Sequence, residues 1–122
     1  MMPDRYHRNL DAFKTILDVA RNKNVKVLVY IAPIRNDVPI PYDADQYKKF
    51  KRKIRSLCAQ NGVRFVNLEN IIPGALWGTK DSTSIVGGPE YDFMHFKAKG
   101  HRILAQSLNE ELSSMLNKGN TQ

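Results

Sequence analysis

The feature that most constrains the fold is an apolar, β-branched run from Val25 to Ala32, which Pro33 ends. Nearly continuous apolarity over such a length is typical of a strand that is buried on both faces of a sheet. A second short run, from Val63 to Leu68, indicates another strand. Because a helical segment lies between the two runs, the pattern predicts a right-handed parallel crossover, that is, a βαβ unit.

Apolar residues with helical periodicity mark three further segments. The first lies near residues 5–22, the second follows Asp43 and ends near Gly62, and the third covers about residues 98–116. The predicted order α-β-α-β-α indicates an α/β protein with a flavodoxin-like, three-layer αβα architecture. Buried sheets usually have about five or six strands, so two strands predict a truncated parallel sheet.

Composition agrees with a globular protein, because 42% of the 122 residues are hydrophobic and 25% are charged. We expect one domain over residues 1–118 and a polar tail at residues 119–122. No apolar run approaches the roughly 20 residues needed to span a bilayer, and the first residues are too polar for a secretory signal. The lone Cys58 excludes an internal disulfide and a multi-cysteine zinc site, so cysteine usage leaves the compartment open.

The segment 69–96 is rich in residues that interrupt regular structure, and it predicts a long loop. Loops of this length are commonly functional, so we look there for chemistry. The interrupting residues are Pro73, Gly74, Gly78, Gly87, Gly88 and Pro89.

At the end of this predicted loop, Asp92 and His95 lie three residues apart, just before the last helix. In a turn, this spacing allows the carboxylate to accept a hydrogen bond from the imidazole and to fix its tautomer. The other ring nitrogen is then free to act as a general base. The alternative is a histidine with a purely structural role.

The sequence here resembles the SGNH, or GDSL-like, hydrolase superfamily, whose last motif is Asp-x-x-His followed by a small residue or glycine and the terminal helix. Asp92 and His95 match this motif, and the order of elements over most of the chain matches the C-terminal half of the family. The resemblance implies ester hydrolysis or O-acyl transfer without a cofactor. It also implies that His95 takes a proton from a serine, that Asp92 orients His95, and that an acylated carbohydrate or another ester is the substrate.

Three motifs of the family are absent from the sequence: the early Gly-Asp-Ser motif with the nucleophile, and the glycine and asparagine of the oxyanion hole. We therefore interpret the chain as a part of such an enzyme, inactive unless an upstream segment or a second polypeptide supplies the serine. Asn36 lacks the preceding glycine of the oxyanion motif and is interpreted as a loop residue beside the cleft. Ser82 and Ser84 lack the strand-turn-helix context of a catalytic serine.

Two aromatic residues, Trp77 and Tyr91, flank the predicted loop and are candidates for lining the substrate cleft; packing over the sheet edge explains them equally well. A metal site would combine Asp92, His95 and His101. The six-residue step between the histidines does not bring them onto one helical face, so no metal is predicted.

The net charge of +7 comes largely from a basic run between Lys48 and Arg55 in the second predicted helix. Such a run is usually the solvated face of an amphipathic helix. The alternative function is a non-catalytic module that uses this helix to bind an anionic partner, although no recognised nucleic-acid motif accompanies it. We also expect the edge of strand 25–32 to be covered by an upstream segment or by self-association.

Overall fold

The computed structural model describes residues 3–80 and 90–118. Within them, helices and strands are mixed, which is compatible with the α/β class. Strands β1 and β2 form a parallel two-stranded sheet, and β3 and β4 form an antiparallel pair. The elements are α1 (Pro3–Asn22), β1 (Leu28–Ile31), α2 (Ala44–Gln60), β2 (Arg64–Asn67), a 3₁₀ turn (Gly74–Leu76), β3 (Trp77–Lys80), β4 (Glu90–Phe96) and α3 (Ala98–Lys118).

The chain separates into two compact units. The α1–α2 unit comprises Met1–Val29 and Asp45–Val66, and the hairpin unit comprises Tyr30–Ala44 and Asn67–Gln122. The predicted tail at 119–122 lies outside the described residues. Among the described helices, none has the length and apolarity that crossing a membrane requires.

The core of the α1–α2 unit is built from the apolar stripes of its two helices. Leu10 of α1 packs with Ile54, Leu57 and Cys58 of α2, and the predicted stripe of α2 is confirmed at these positions. Burial raises the pKa of the Cys58 thiol because a thiolate would be poorly solvated there. Ile16, an apolar residue of α1, is 61% exposed.

Both helices of this unit end in a Schellman motif, in which a residue in the left-handed conformation reverses the chain. After α2, Gly62 has a φ of 64°, and the Val63 N–H donates to the Cys58 carbonyl at 2.9 Å. After α1, Asn24 has a φ of 56°, and the Val25 N–H donates to the Ala20 carbonyl at 2.8 Å. The motif explains the glycine that ends α2.

The two caps predict opposite responses to substitution. Gly62→Ala is expected to lower the free energy of unfolding by roughly 1–2 kcal/mol, because an L side chain is strained in the left-handed region. Asn24→Gly is expected to maintain or raise stability, since it removes that strain. Urea unfolding of both variants measures the effects. Equal destabilisation by both substitutions would contradict this account.

Strand β1 is shorter and less buried than the sequence predicts. The expected strand covers Val25 to Ala32, whereas β1 covers Leu28–Ile31. Ile31 is the buried residue of β1, and Tyr30 is 38% exposed. The cap of α1 uses the N–H of Val25, so the extended conformation begins only beyond it. Burial on both faces is therefore wrong for this strand.

The prediction that residues 69–96 form one long loop is also wrong. This segment contains the 3₁₀ turn and the antiparallel pair β3–β4, which the order α-β-α-β-α lacks. Of the interrupting residues, Pro73 and Gly74 lie before β3, and 87–89 lie outside the described residues. Only Gly78 falls within a strand, where it accompanies an irregularity described below.

Candidate acid–imidazole site

The Asp-x-x-His sequence forms a bulge in β4. In the register of the hairpin, Trp77 pairs with Phe96 and Thr79 pairs with Tyr91. Between these pairs β3 contributes one residue, Gly78, whereas β4 contributes the four residues 92–95, an excess of three. Bulges re-aim side chains and are common beside functional sites. The motif therefore sits in a bulged strand rather than in the loop that the sequence predicts.

The structure brings Asp92 and His95 together. Oδ2 of Asp92 lies 3.1 Å from Nδ1 of His95, and Oδ1 accepts the backbone N–H of His95 at 3.0 Å. Asp92 is 9% exposed, whereas the side chain of His95 is 81% exposed. One buried carboxylate thus contacts both the backbone and the ring of an accessible histidine.

This geometry determines which ring nitrogen of the neutral imidazole carries the proton. An ionised carboxylate only accepts hydrogen bonds, so Nδ1 of the neutral ring carries the proton that it donates to Asp92. Nε2 then presents its lone pair and is able to take a proton from a reactant. A buried acid that orients an accessible imidazole in this way is the pairing used in acyl-transfer sites.

Aromatic packing secures the end of the bulge. The ring of Phe96 meets Trp77 edge-on at 5.2 Å between centroids, and it lies 4.4 Å from the ring of His101. The N–H of Lys97 donates to the Leu76 carbonyl at 2.7 Å, immediately before α3 begins. His95 is consequently held close to a helix start and to a packed strand end.

Trp77 is part of this packing. It is 3% exposed, and its Nε1–H donates to the Ile72 carbonyl at 3.4 Å. Of the two interpretations offered for this residue, the packed position is the one observed, since a side chain buried to this extent presents no surface to a substrate. His101 likewise packs on Phe96. No group of three potential metal ligands occurs among the described residues.

The remaining candidates are placed as follows. Asn36 is exposed, and its Nδ2 lies 3.5 Å from Oδ1 of Asn70, at the limit of a hydrogen bond. The backbone of Tyr91 pairs with that of Thr79, and its side chain lies outside the described part of the structure. Ser82 and Ser84 also lie outside it.

Sequence reasoning missed Arg35, which is 5% exposed. Its Nε donates to Oδ1 of Asp37 at 2.7 Å and its Nη2 to Oδ2 at 3.1 Å, which is a bidentate pair. Its Nη1 donates to the carbonyl of Gly78 at 2.6 Å. The Arg-x-Asp spacing directly after a strand is the only signal in the sequence, and it does not reveal the contact with Gly78.

The ion pair keeps Asp37 charged. The hydrogen bonds from Arg35 hold the pKa of Asp37 below its ordinary value of 3.8. A lowered pKa in the folded state means that the carboxylate favours folding above its ordinary pKa, and that this contribution is lost as the pH falls through the lowered value. The pair is therefore intact near neutral pH.

A scan against models of protein families, a search of curated proteins and a search of solved structures each found no match to this chain.

Proposed function

We propose that Asp92 and His95 are the acid and the base of an SGNH-type serine esterase or O-acyltransferase. The observation that carries the proposal is the 3.1 Å contact between the buried carboxylate of Asp92 and Nδ1 of an exposed imidazole. His95 takes the proton of a serine hydroxyl through Nε2 and returns it to the leaving group. Asp92 holds the ring and stabilises the imidazolium that forms.

The serine comes from a segment upstream of residue 1 in the complete protein, because acyl transfer of this type needs a nucleophile and the sequence lacks a Gly-Asp-Ser motif. That segment also supplies the oxyanion donors and further strands, which pair with the edge of β1 and complete a flavodoxin-like, three-layer sheet. The substrate is an acylated carbohydrate or another ester, as in the family that the sequence resembles.

The experiment is an assay with an activated acetyl ester. The 122-residue chain alone is expected to give only the slow background of a free imidazole, whereas the protein translated from the extended reading frame is expected to turn over. His95→Gln is expected to lower that turnover by about 10²–10⁴-fold, the usual contribution of a general base. His7→Gln is the matched control, because His7 is an exposed residue of α1 and lies outside the hairpin unit.

Three outcomes would contradict the proposal. One is robust turnover by the 122-residue chain that His95→Gln abolishes. Another is a reading frame without an upstream serine in a Gly-Asp-Ser-like context. The last is an active longer protein in which His95→Gln and His7→Gln lower turnover to the same extent.

A second candidate function is a non-catalytic module that binds a polyanion, and it is favoured by the exposed side of α2. The basic face, defined as Lys48, Lys49, Arg52 and Lys53, is exposed along two rows at i, i+4 spacing. None of the four residues forms an ion pair with a described residue. The apolar side of α2 is buried in the core of the α1–α2 unit. This helix therefore contacts a partner through its charged side chains and not by inserting apolar side chains.

Heparin affinity tests this candidate. If the basic face binds a polyanion, replacing its four residues with Gln lowers the salt concentration of elution and flattens the salt dependence of binding, since each lost contact releases about one counterion fewer. Four substitutions at scattered exposed lysines, Lys14, Lys23, Lys26 and Lys99, match the change in net charge. If the salt concentration of elution falls equally in the two variants, net charge alone explains the binding and the candidate function is rejected.

A further inference from the structure

The guanidinium of Arg35 binds the backbone of β3 at the residue where the pairing of β3 with β4 becomes irregular. Its Nη1 donates to the carbonyl of Gly78 at 2.6 Å. Gly78 is the single β3 residue that faces the four bulged residues of β4, because the register passes from Trp77 to Thr79 without pairing it. The carbonyl at which the ladder is interrupted is thus the one that Arg35 binds.

Asp37 fixes the orientation of this guanidinium. Its two carboxylate oxygens accept from Nε and Nη2 at 2.7 and 3.1 Å, and this fork leaves Nη1 directed at Gly78. Arg35 is 5% exposed and the side chain of Asp37 is 38% exposed, so this bidentate, charge-assisted pair is partly shielded from solvent. The direction of the Gly78 carbonyl is therefore set by two residues from the segment after β1.

The third participant is Gly74, at the start of the 3₁₀ turn that leads into Trp77. A Cβ atom at position 74 would lie 2.5 Å from Cβ and 2.6 Å from Cγ of Asp37. Real Cβ atoms do not approach other carbons this closely, so a side chain at position 74 displaces the carboxylate. At Gly78, by contrast, an added Cβ meets no atom within 4 Å.

We propose that Arg35 is a positioning residue, which acts with Asp37 and Gly74 to hold the Gly78 carbonyl away from the β-ladder and so to maintain the bulge that pairs Asp92 with His95. The catalytic consequence of this arrangement rests on the proposed function, but the arrangement itself does not. Through its bond to the Gly78 carbonyl, Arg35 acts on the backbone of β3.

The proposal is tested by NMR on the isotopically labelled 122-residue chain. Two readouts report on the bulge: hydrogen exchange of the His95 amide, which donates to Asp92, and the ¹⁵N shifts of the ring, which report its tautomer. The Lys97 amide, which donates to Leu76, reports on the rest of the hairpin unit. The variants are Asp37→Asn, Gly74→Ala and Arg35→Lys, and Gly78→Ala is the matched control.

Asp37→Asn and Gly74→Ala are expected to raise the exchange rate of the His95 amide by at least about tenfold relative to Lys97, and to shift the ring from the Nδ1–H form to a mixture of tautomers. Arg35→Lys retains the charge but not the fork, so an intermediate effect is expected. Gly78→Ala is expected to leave the exchange rate of the His95 amide within about twofold of wild type and the ring shifts unchanged. The backbone carbonyl of residue 78 is retained, and the added methyl group meets no neighbouring atom.

The proposal is overturned if Asp37→Asn and Gly74→Ala leave the His95 readouts at their wild-type values, or if Gly78→Ala has the same effect as Gly74→Ala. It is equally overturned if the exchange rates of the Lys97 and His95 amides rise by the same factor, since that indicates general destabilisation. None of these readouts requires turnover. If the longer protein is active but Asp37→Asn leaves the His95 amide exchange and ring shifts unchanged, this inference alone is rejected. If the longer protein is inactive, the proposed function alone is rejected.

Discussion

Replacing Asp92 with asparagine is expected to lower the proposed acyl-transfer activity of the extended protein by roughly 10⁴-fold, the size of loss found when the acid of such a triad is replaced by its amide. An amide at position 92 still fits the bulge, but its NH₂ group donates where the carboxylate accepted. It therefore favours the tautomer in which Nε2 carries the proton, and this tautomer has no base to offer the serine.

The measurement is the turnover of an activated ester by the wild-type and variant proteins at neutral pH. Asp18→Asn is the control, because Asp18 forms an exposed ion pair with Arg21 at 3.1 Å in the α1–α2 unit. The same loss in both variants would point to a general effect of removing a charge. Turnover by Asp92→Asn within about threefold of wild type would exclude Asp92 from the orienting role.

The largest loss of stability is expected for Trp77→Ala, at about 3–5 kcal/mol, the usual range for removing a buried aromatic side chain. Trp77 is 3% exposed, its ring meets Phe96 edge-on at 5.2 Å, and its indole N–H reaches the Ile72 carbonyl. The substitution removes apolar contacts and leaves a cavity that a strand next to a tight turn fills poorly.

Denaturant unfolding measures this effect, and Leu116→Ala in α3 is its control within the same unit. Leu116 is 58% exposed, so its truncation is expected to change the free energy of unfolding by about 0.5 kcal/mol or less. Similar losses in the two variants would show that Trp77 does not anchor the hairpin. A large loss confined to Trp77→Ala would agree with its position at the end of the bulge.

The helices could be predicted because their signals are local. The apolar stripe of α2 recurs at helical spacing, and Gly62 marks its end, so the existence of the helix and its boundary follow from neighbouring residues. The short β1 could not be predicted from its composition, because the cap of α1 extends as far as Val25. Whether Val25 belongs to the helix cap or to the strand depends on the left-handed conformation of Asn24, which the apolar pattern does not reveal.

The site shows the same division between local and long-range information. The contact between Asp92 and His95 is local, since three residues separate them and one carboxylate reaches both the amide and the ring. Arg35 escaped prediction because its bond to Gly78 joins residues that are 43 positions apart. The glycine and proline content of residues 69–96 predicted a loop where a hairpin forms. The pairing of β3 with β4 overrides this local preference, and such pairing depends on residues that are distant in the sequence.

For the proposed function, the bulge in β4 affects how much ordering a reactant requires when it binds. Its residues are fixed at one end by Phe96 and within it by the carboxylate that holds the His95 amide. The loss of conformational freedom at Asp92 and His95, roughly 1–2 kcal/mol per residue for the backbone, is incurred during folding. A reactant that approaches Nε2 meets a ring whose orientation is already set, so little further ordering is required when it binds.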